Sequence, residues 1–307
     1  MYYPYLRGKQ FELLALRDFA EHVPNNRNVT PIVEPVRKTF KGIQLALPVL
    51  HRYEVPVGVV LNPQVGELVG DCDFVLNELK ESSKIYRPAF IIYQNATKIR
   101  AIIEREGLED VLLLRHPSAV DPDTEVEKLV SMDAVSTLLI GDKFKGLRRA
   151  MGTLKKEAVL WGDYFNPLVK NADYLNVPEE MFTEDFWYYN DEGYNGISDY
   201  TVLPSAFAEG GSLPYAIAIH FTYVRDKRMF VRHFVSDSNS DQSNIHGKFE
   251  EAAEKAICFF DEEKTDTYGL RLLRGYVERQ EYPGLGMLKK ISILHHLELV
   301  ANLINHN

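Results

Sequence analysis

Cysteine is scarce: Cys72 and Cys258 are the two in 307 residues. Neither has the spacing of a redox or zinc pair, so both are expected to be free, buried thiols in a reducing compartment. Long apolar runs are missing as well. No uninterrupted stretch approaches the roughly 18 residues of a membrane span, and the opening MYYPYLRGKQFELL lacks the long apolar core of a secretory signal. The expectation is a soluble, cytoplasmic protein with no membrane partner. Positive charge is in deficit too, 35 basic against 44 acidic residues, for a net charge of −9. Such a field repels phosphate backbones, so nucleic acid is not a favoured partner unless a local basic patch exists. The well-marked chemistries are absent: there is no GxxxxGK[ST] loop, GxGxxG fingerprint, HExxH pair or GxSxG elbow. Cofactor and metal are therefore left unassigned.

What is present is a repeated phrase: a short β-rich run, a polar residue at its end, then an amphipathic helix. YYPYL, VTPIVEP, VPVGVVLNP, PAFIIYQ, DVLLLRH and VSTLLIGD are six such runs. The first is followed by Leu16, Phe19, Ala20 and Val23 at helical spacing. The fourth precedes an Ile99, Ile102, Ile103 stripe behind an expected Asn95 cap. EAVLWGDYF adds a further run ending at Asp163. Apolar strands alternating with helices imply a parallel sheet covered on its faces. Because nearly every run ends in a polar residue, a closed barrel, which gathers strand ends in one ring, is preferred to a doubly wound sheet.

The expected fold is thus α/β, a TIM-barrel-like (β/α) barrel forming a single domain over 1–307, with a long irregular insertion around 164–196 and a C-terminal helical cap over 249–307. IHFTYV and MFVRHFV around RDKR read as a hairpin. The aromatic stretch 182–194 is too apolar for a loose linker and reads as a lid or an interface.

In that barrel, Arg7, Lys9, Glu34, Asn62, Gln94, Arg115, His116, Asp142, Asp163, Asp199 and His220 lie near one rim, Asp142 being better suited to capping a helix. Arg7 and Lys9 flank Gly8 in a turn suited to an anion, and Arg115 suits a phosphate or carboxylate clamp. Glu34 serves a salt bridge or proton transfer. Asp199 and His220 sit among apolar neighbours, where an unpaired charge costs several kcal/mol, so each requires a partner. His296 shares the apolar face of the last helix and is expected to be buried.

YYPYLRGKQFELLAL, IVEPV, GISDYTVLP, AIAIHF, RHFVSDSNSD and YPGLGMLKKISILHHLEL together span almost the whole chain. In this combination the sequence resembles the phage-type "beta protein" family, in an uncharacterised bacterial branch. The resemblance implies a TIM-barrel-like fold and a role in phage or defence biology, and it supplies no reaction. On its motifs Arg7, Lys9, Glu34, Asp199, Tyr200, His220, His295 and His296 are the matching candidates. The leading expectation is a mouth that binds a small phosphate-bearing or carboxylate-bearing ligand through Arg7, Lys9 and Arg115, with Asn62, His116 and Asp163 beside them. Hydrolysis would use Glu34 or Asp199 as base and His220 as acid. The alternative is a non-catalytic scaffold whose 182–194 segment holds a partner protein.

Overall fold

Short runs of β-branched and other apolar residues form the parallel strands of a barrel in the computed structural model, which describes residues 1–23, 26–82, 85–210 and 214–306. The strands are β1 (Tyr5–Leu6), β2 (Ile32–Val33), β3 (Gly58–Val60), β4 (Arg87–Ile92), β5 (Val111–Arg115), β6 (Val135–Ile140), β7 (Glu157–Trp161) and, after an inserted strand β8 (Glu179–Thr183), β9 (Gly196–Ser198). The eight strands pair in sequence order, with β8 excluded and β9 beside β7. Closure is by backbone: Tyr3 N donates to Ile197 O and Tyr5 N to Asp199 O, both at 2.8 Å.

Period-2 alternation sorts the side chains into two cores. Tyr3, Tyr5, Ile32, Val60, Ile91, Leu112, Leu114, Leu139, Val159 and Trp161 fill the barrel interior. Their neighbours Leu6, Val33, Val59, Leu113 and Leu138 face outward. They meet the helices α1 (Gln10–His22), α2 (Lys41–Arg52), α3 (Cys72–Leu79), α4 (Ala96–Glu106), α5 (Asp123–Val130) and α6 (Lys145–Thr153). The cap of α4 differs from expectation. Asn95 turns back to the strand end, accepting from Tyr93 N at 3.1 Å, and Asp121 accepts from Ala96 N at 2.9 Å instead. Cys72 is buried as expected, whereas Cys258 is exposed.

The insertion, expected as an irregular loop, contains regular elements. It holds a 3-10 turn (171–176), β8 and a one-turn helix α7 (Asp185–Tyr188). The expected hairpin forms as β10 (Ala218–Arg225) and β11 (Arg228–Val235), and β8 joins it as a third antiparallel strand. Ile219, Phe221, Tyr223 and Phe234 cover one face of this sheet against α8 (Ile245–Glu262) and α9 (Tyr268–Glu278), forming a core of their own. The last helix, α10 (Leu285–His306), carries Leu288 and Ile291 into that core and Ile293, Leu294, Leu297 and Val300 into the barrel's outer core. An apolar residue on every side is what a helix packed between two layers requires. Gly269 permits the close α9–α10 approach, since a Cβ there would lie 2.6 Å from Ile291 O. Among the described residues, no helix is long and apolar enough to cross a membrane.

Candidate functional site

At the C-terminal end of the strands a cavity of about 360 Å³ opens, lined among others by Tyr5, Arg7, His116, Trp161, Asp163 and Tyr200. Three rings, one from each of β1, β7 and the turn after β9, make its floor. The centroid separations are 5.5 Å for Tyr5–Trp161, 5.3 Å for Tyr5–Tyr200 and 5.7 Å for Trp161–Tyr200. The Arg7 guanidinium lies over Tyr5 at 5.0 Å and Tyr200 at 5.8 Å, so the charge is held against π-faces.

Glu34 fixes that guanidinium from behind. Its carboxylate is fully buried; it pairs with Arg7, accepts from Tyr5 OH at 2.6 Å through Oε2 and from Gln64 N at 2.6 Å through Oε1. With its acceptors occupied, Glu34 positions Arg7 rather than serving as a free base. Gly8 makes the arrangement possible. Its φ is +62°, a region that favours glycine, and a Cβ there would come within 3.1 Å of Glu34 O. Arg7 Nη2 also donates to Ser205 O at 2.5 Å, drawing the loop after β9 over the rim.

Several donors at the mouth lack partners. Trp161 Nε1 and Arg7 Nε are buried with no hydrogen bond among the described residues. Burial raises the Tyr200 hydroxyl pKa, so the group stays a protonated donor. Burial, with the charge of Arg7 adding to it, lowers the His116 pKa, leaving a neutral ring whose Nδ1 accepts from Ser118 N at 3.1 Å. Asp163 accepts from Ser205 OH. The mouth thus combines one fixed cation, N–H donors without partners among the described residues, flat apolar surfaces, the Asp163 carboxylate and the His116 ring.

Of the nine candidate catalytic and ligand-binding residues, Arg7, His116 and Asp163 line the cavity, with Glu34 directly behind. The other five lie elsewhere: strand alternation turns Arg115 and Asp199 outward, and His220 stands on a strand of the second sheet, outside the barrel. Arg115 follows the inward Leu114 on β5 and therefore points outward: it pairs with Asp123 at 3.0 Å and stacks on Phe144. Asn62 ties β3 to β4, its amide donating to Ile91 O and accepting from Ile91 N, both at 2.8 Å. Lys9 donates to Ala208 O at 2.8 Å on the outer side.

Asp199 follows the inward Ser198, so its carboxylate faces α10. It accepts from Tyr2 OH at 2.6 Å and Thr201 N at 2.8 Å and meets His296 Nε2 at 3.1 Å, while His296 Nδ1 contacts Thr222 Oγ1 at 2.9 Å. His220 lies in β10 opposite His233, Nδ1 to Nδ1 at 2.7 Å, against the Phe165 and Tyr174 rings. Each polar strand residue has its partner, as the sequence required. The partners of Asp199 tie the barrel to α10 and, through His296 and Thr222, to the second sheet, whereas the partner of His220 lies within that sheet.

The aromatic segment is likewise committed inside the fold: Phe182, Phe186, Tyr189 and Tyr194 are buried in the outer core, with Tyr188 left exposed. Sequence reading missed Trp161 and Tyr5 as mouth residues. Their signal was present, since Tyr3 and Tyr5, like Glu157, Val159 and Trp161, fall two apart on one face of a strand.

The junction has a pH consequence. Burial pushes the His295 pKa down to about 4, its Nδ1 facing Thr267 Oγ1 at 2.9 Å and its Nε2–H donating to Thr222 O at 2.6 Å. Burial and the neighbouring His233 ring push His220 down to about 3. These rings are neutral when folded, whereas unfolded histidines protonate near pH 6.5. The unfolded state therefore takes up protons first on acidification. Stability is expected to be full above about pH 6.5 and to fall towards pH 4, with a slope that His295→Gln reduces. Thermal unfolding across that range checks this, and a midpoint that rises on acidification contradicts it.

No protein-family model matches the chain, and no curated protein matches it, so the site is interpreted from its own geometry.

Proposed function

We propose that the barrel mouth binds a small ligand with a planar apolar body and one carboxylate or phosphate group. The observation that carries this is the pairing of a Glu34-fixed Arg7 with the unpartnered Trp161 Nε1 over a floor of three aromatic rings. Arg7 and the indole N–H supply donors for the anion, and the rings supply the apolar contact. A volume near 360 Å³ suits a molecule of that size. The resemblance to the phage-type beta protein family supports placing this binding role in phage or defence biology. Beside the Arg7 and indole donors stand Asp163, which accepts from Ser205 OH, and the neutral His116 ring.

Calorimetric titration with phenyl phosphate, benzoate and phenol tests the reading. The two anions are expected to bind and phenol not to. Trp161→Phe, which keeps a ring and removes only the donor, is expected to weaken anion binding about tenfold. Equal affinity for phenol and benzoate, or no change in Trp161→Phe, would falsify the assignment.

A further inference from the structure

Outside the mouth, a second cavity of about 740 Å³ opens where the first turns of α1, α2 and α10 meet. Lys9, Arg17, Arg37, Lys41 and Lys289 line it, a concentration of positive charge on a chain whose net charge is −9. Among the described residues, only Arg37 of these is paired with carboxylates, Glu67 at 2.8 Å and Glu209 at 3.7 Å. Arg17, Lys41 and Lys289 have no ion pair among the described residues, and Arg17 Nε is buried without a hydrogen-bond partner.

The one carboxylate in the described lining, Glu12, is 2% exposed and already accepts from Arg7 N at 2.6 Å. Burial lowers the Lys9 pKa; Glu12 opposes this, and Lys289, Arg7 and Arg37 add like-charge repulsion. The cations therefore crowd one another with too little negative charge nearby. Helix ends add to the same field: α1 and α2 have no side-chain cap, and their positive poles border the cleft beside the start of α10. The remaining wall is apolar, from Phe11, Leu14 and the 51% exposed Leu45.

We propose that this cleft binds a phosphate ester carrying two or more negative charges on an apolar or aromatic body, the chemistry of a nucleoside diphosphate. A single charge would leave most of the cations unmatched, and a bare polyphosphate would leave the apolar wall uncovered. The site is independent of the mouth.

Calorimetry with ADP, adenosine and pyrophosphate, on the wild type and on the Lys41→Glu/Lys289→Glu double variant, tests this. Both lysines are exposed, so the double variant is expected to unfold at the wild-type temperature. ADP is expected to bind at least about tenfold more tightly than adenosine or pyrophosphate, and the charge reversals to weaken it by at least about tenfold. Trp161→Phe is expected to leave ADP affinity unchanged. ADP binding no tighter than adenosine, pyrophosphate as tight as ADP, or ADP binding indifferent to the double variant overturns the proposal.

Discussion

Asp199→Ala is expected to destabilise the fold by about 3–5 kcal/mol while leaving ligand binding at the mouth intact. The carboxylate is completely buried and receives Tyr2 OH, Thr201 N and His296 Nε2 at 2.6, 2.8 and 3.1 Å. Deleting it strands three polar groups on residues that are themselves fully buried, and stranded partners cost more than the lost bonds. They belong to the segment before β1, where Tyr2 bridges Ile197, to the turn after β9 and to α10, so one side chain ties the barrel seam to the helix that covers it. Chemical unfolding measures the loss. A change below about 1 kcal/mol would show that the seam holds without this network.

Glu34→Ala is expected to do both kinds of damage. It leaves the Arg7 guanidinium, 16% exposed, without its counter-ion, and it leaves Tyr5 OH and Gln64 N without their acceptor. Breaking a buried pair from one side costs about 3–5 kcal/mol. Arg7 also loses its fixed position over the Tyr5 and Tyr200 rings, so anion affinity at the mouth falls with stability. Glu34→Gln keeps an acceptor for Tyr5 and removes the charge, and is expected to lose affinity with a smaller loss of stability. Titration and unfolding of the two variants check this, and full anion affinity in Glu34→Ala contradicts the positioning role.

The barrel was legible because its strands carry a strong periodic signal: continuous apolar runs such as VLLL, each followed by an amphipathic helix. Strand ends were legible as a ring, but not the face on which each end residue points. A shift of one residue reverses that face, which is why Arg115 points outward while its neighbour His116 points into the cavity. Asp199 and His220 were legible as residues needing partners. The partners of Asp199, Tyr2 and His296, lie 197 and 97 positions away, beyond the reach of local pattern, whereas His233, 13 positions from His220, faces it across the expected hairpin. The 182–194 aromatics carried no period because they pack against several elements, including Tyr2 against Phe186 and Phe182 against His296.

The most direct measurement of the mouth's role is the indole N–H resonance of Trp161, separated from that of Trp187, the second of the chain's two tryptophans, by a Trp187→Phe variant. Addition of phenyl phosphate is expected to move the Trp161 resonance downfield and saturably, as an unpartnered donor acquires an acceptor. A Trp161 resonance that stays fixed while the ligand binds elsewhere would contradict the account.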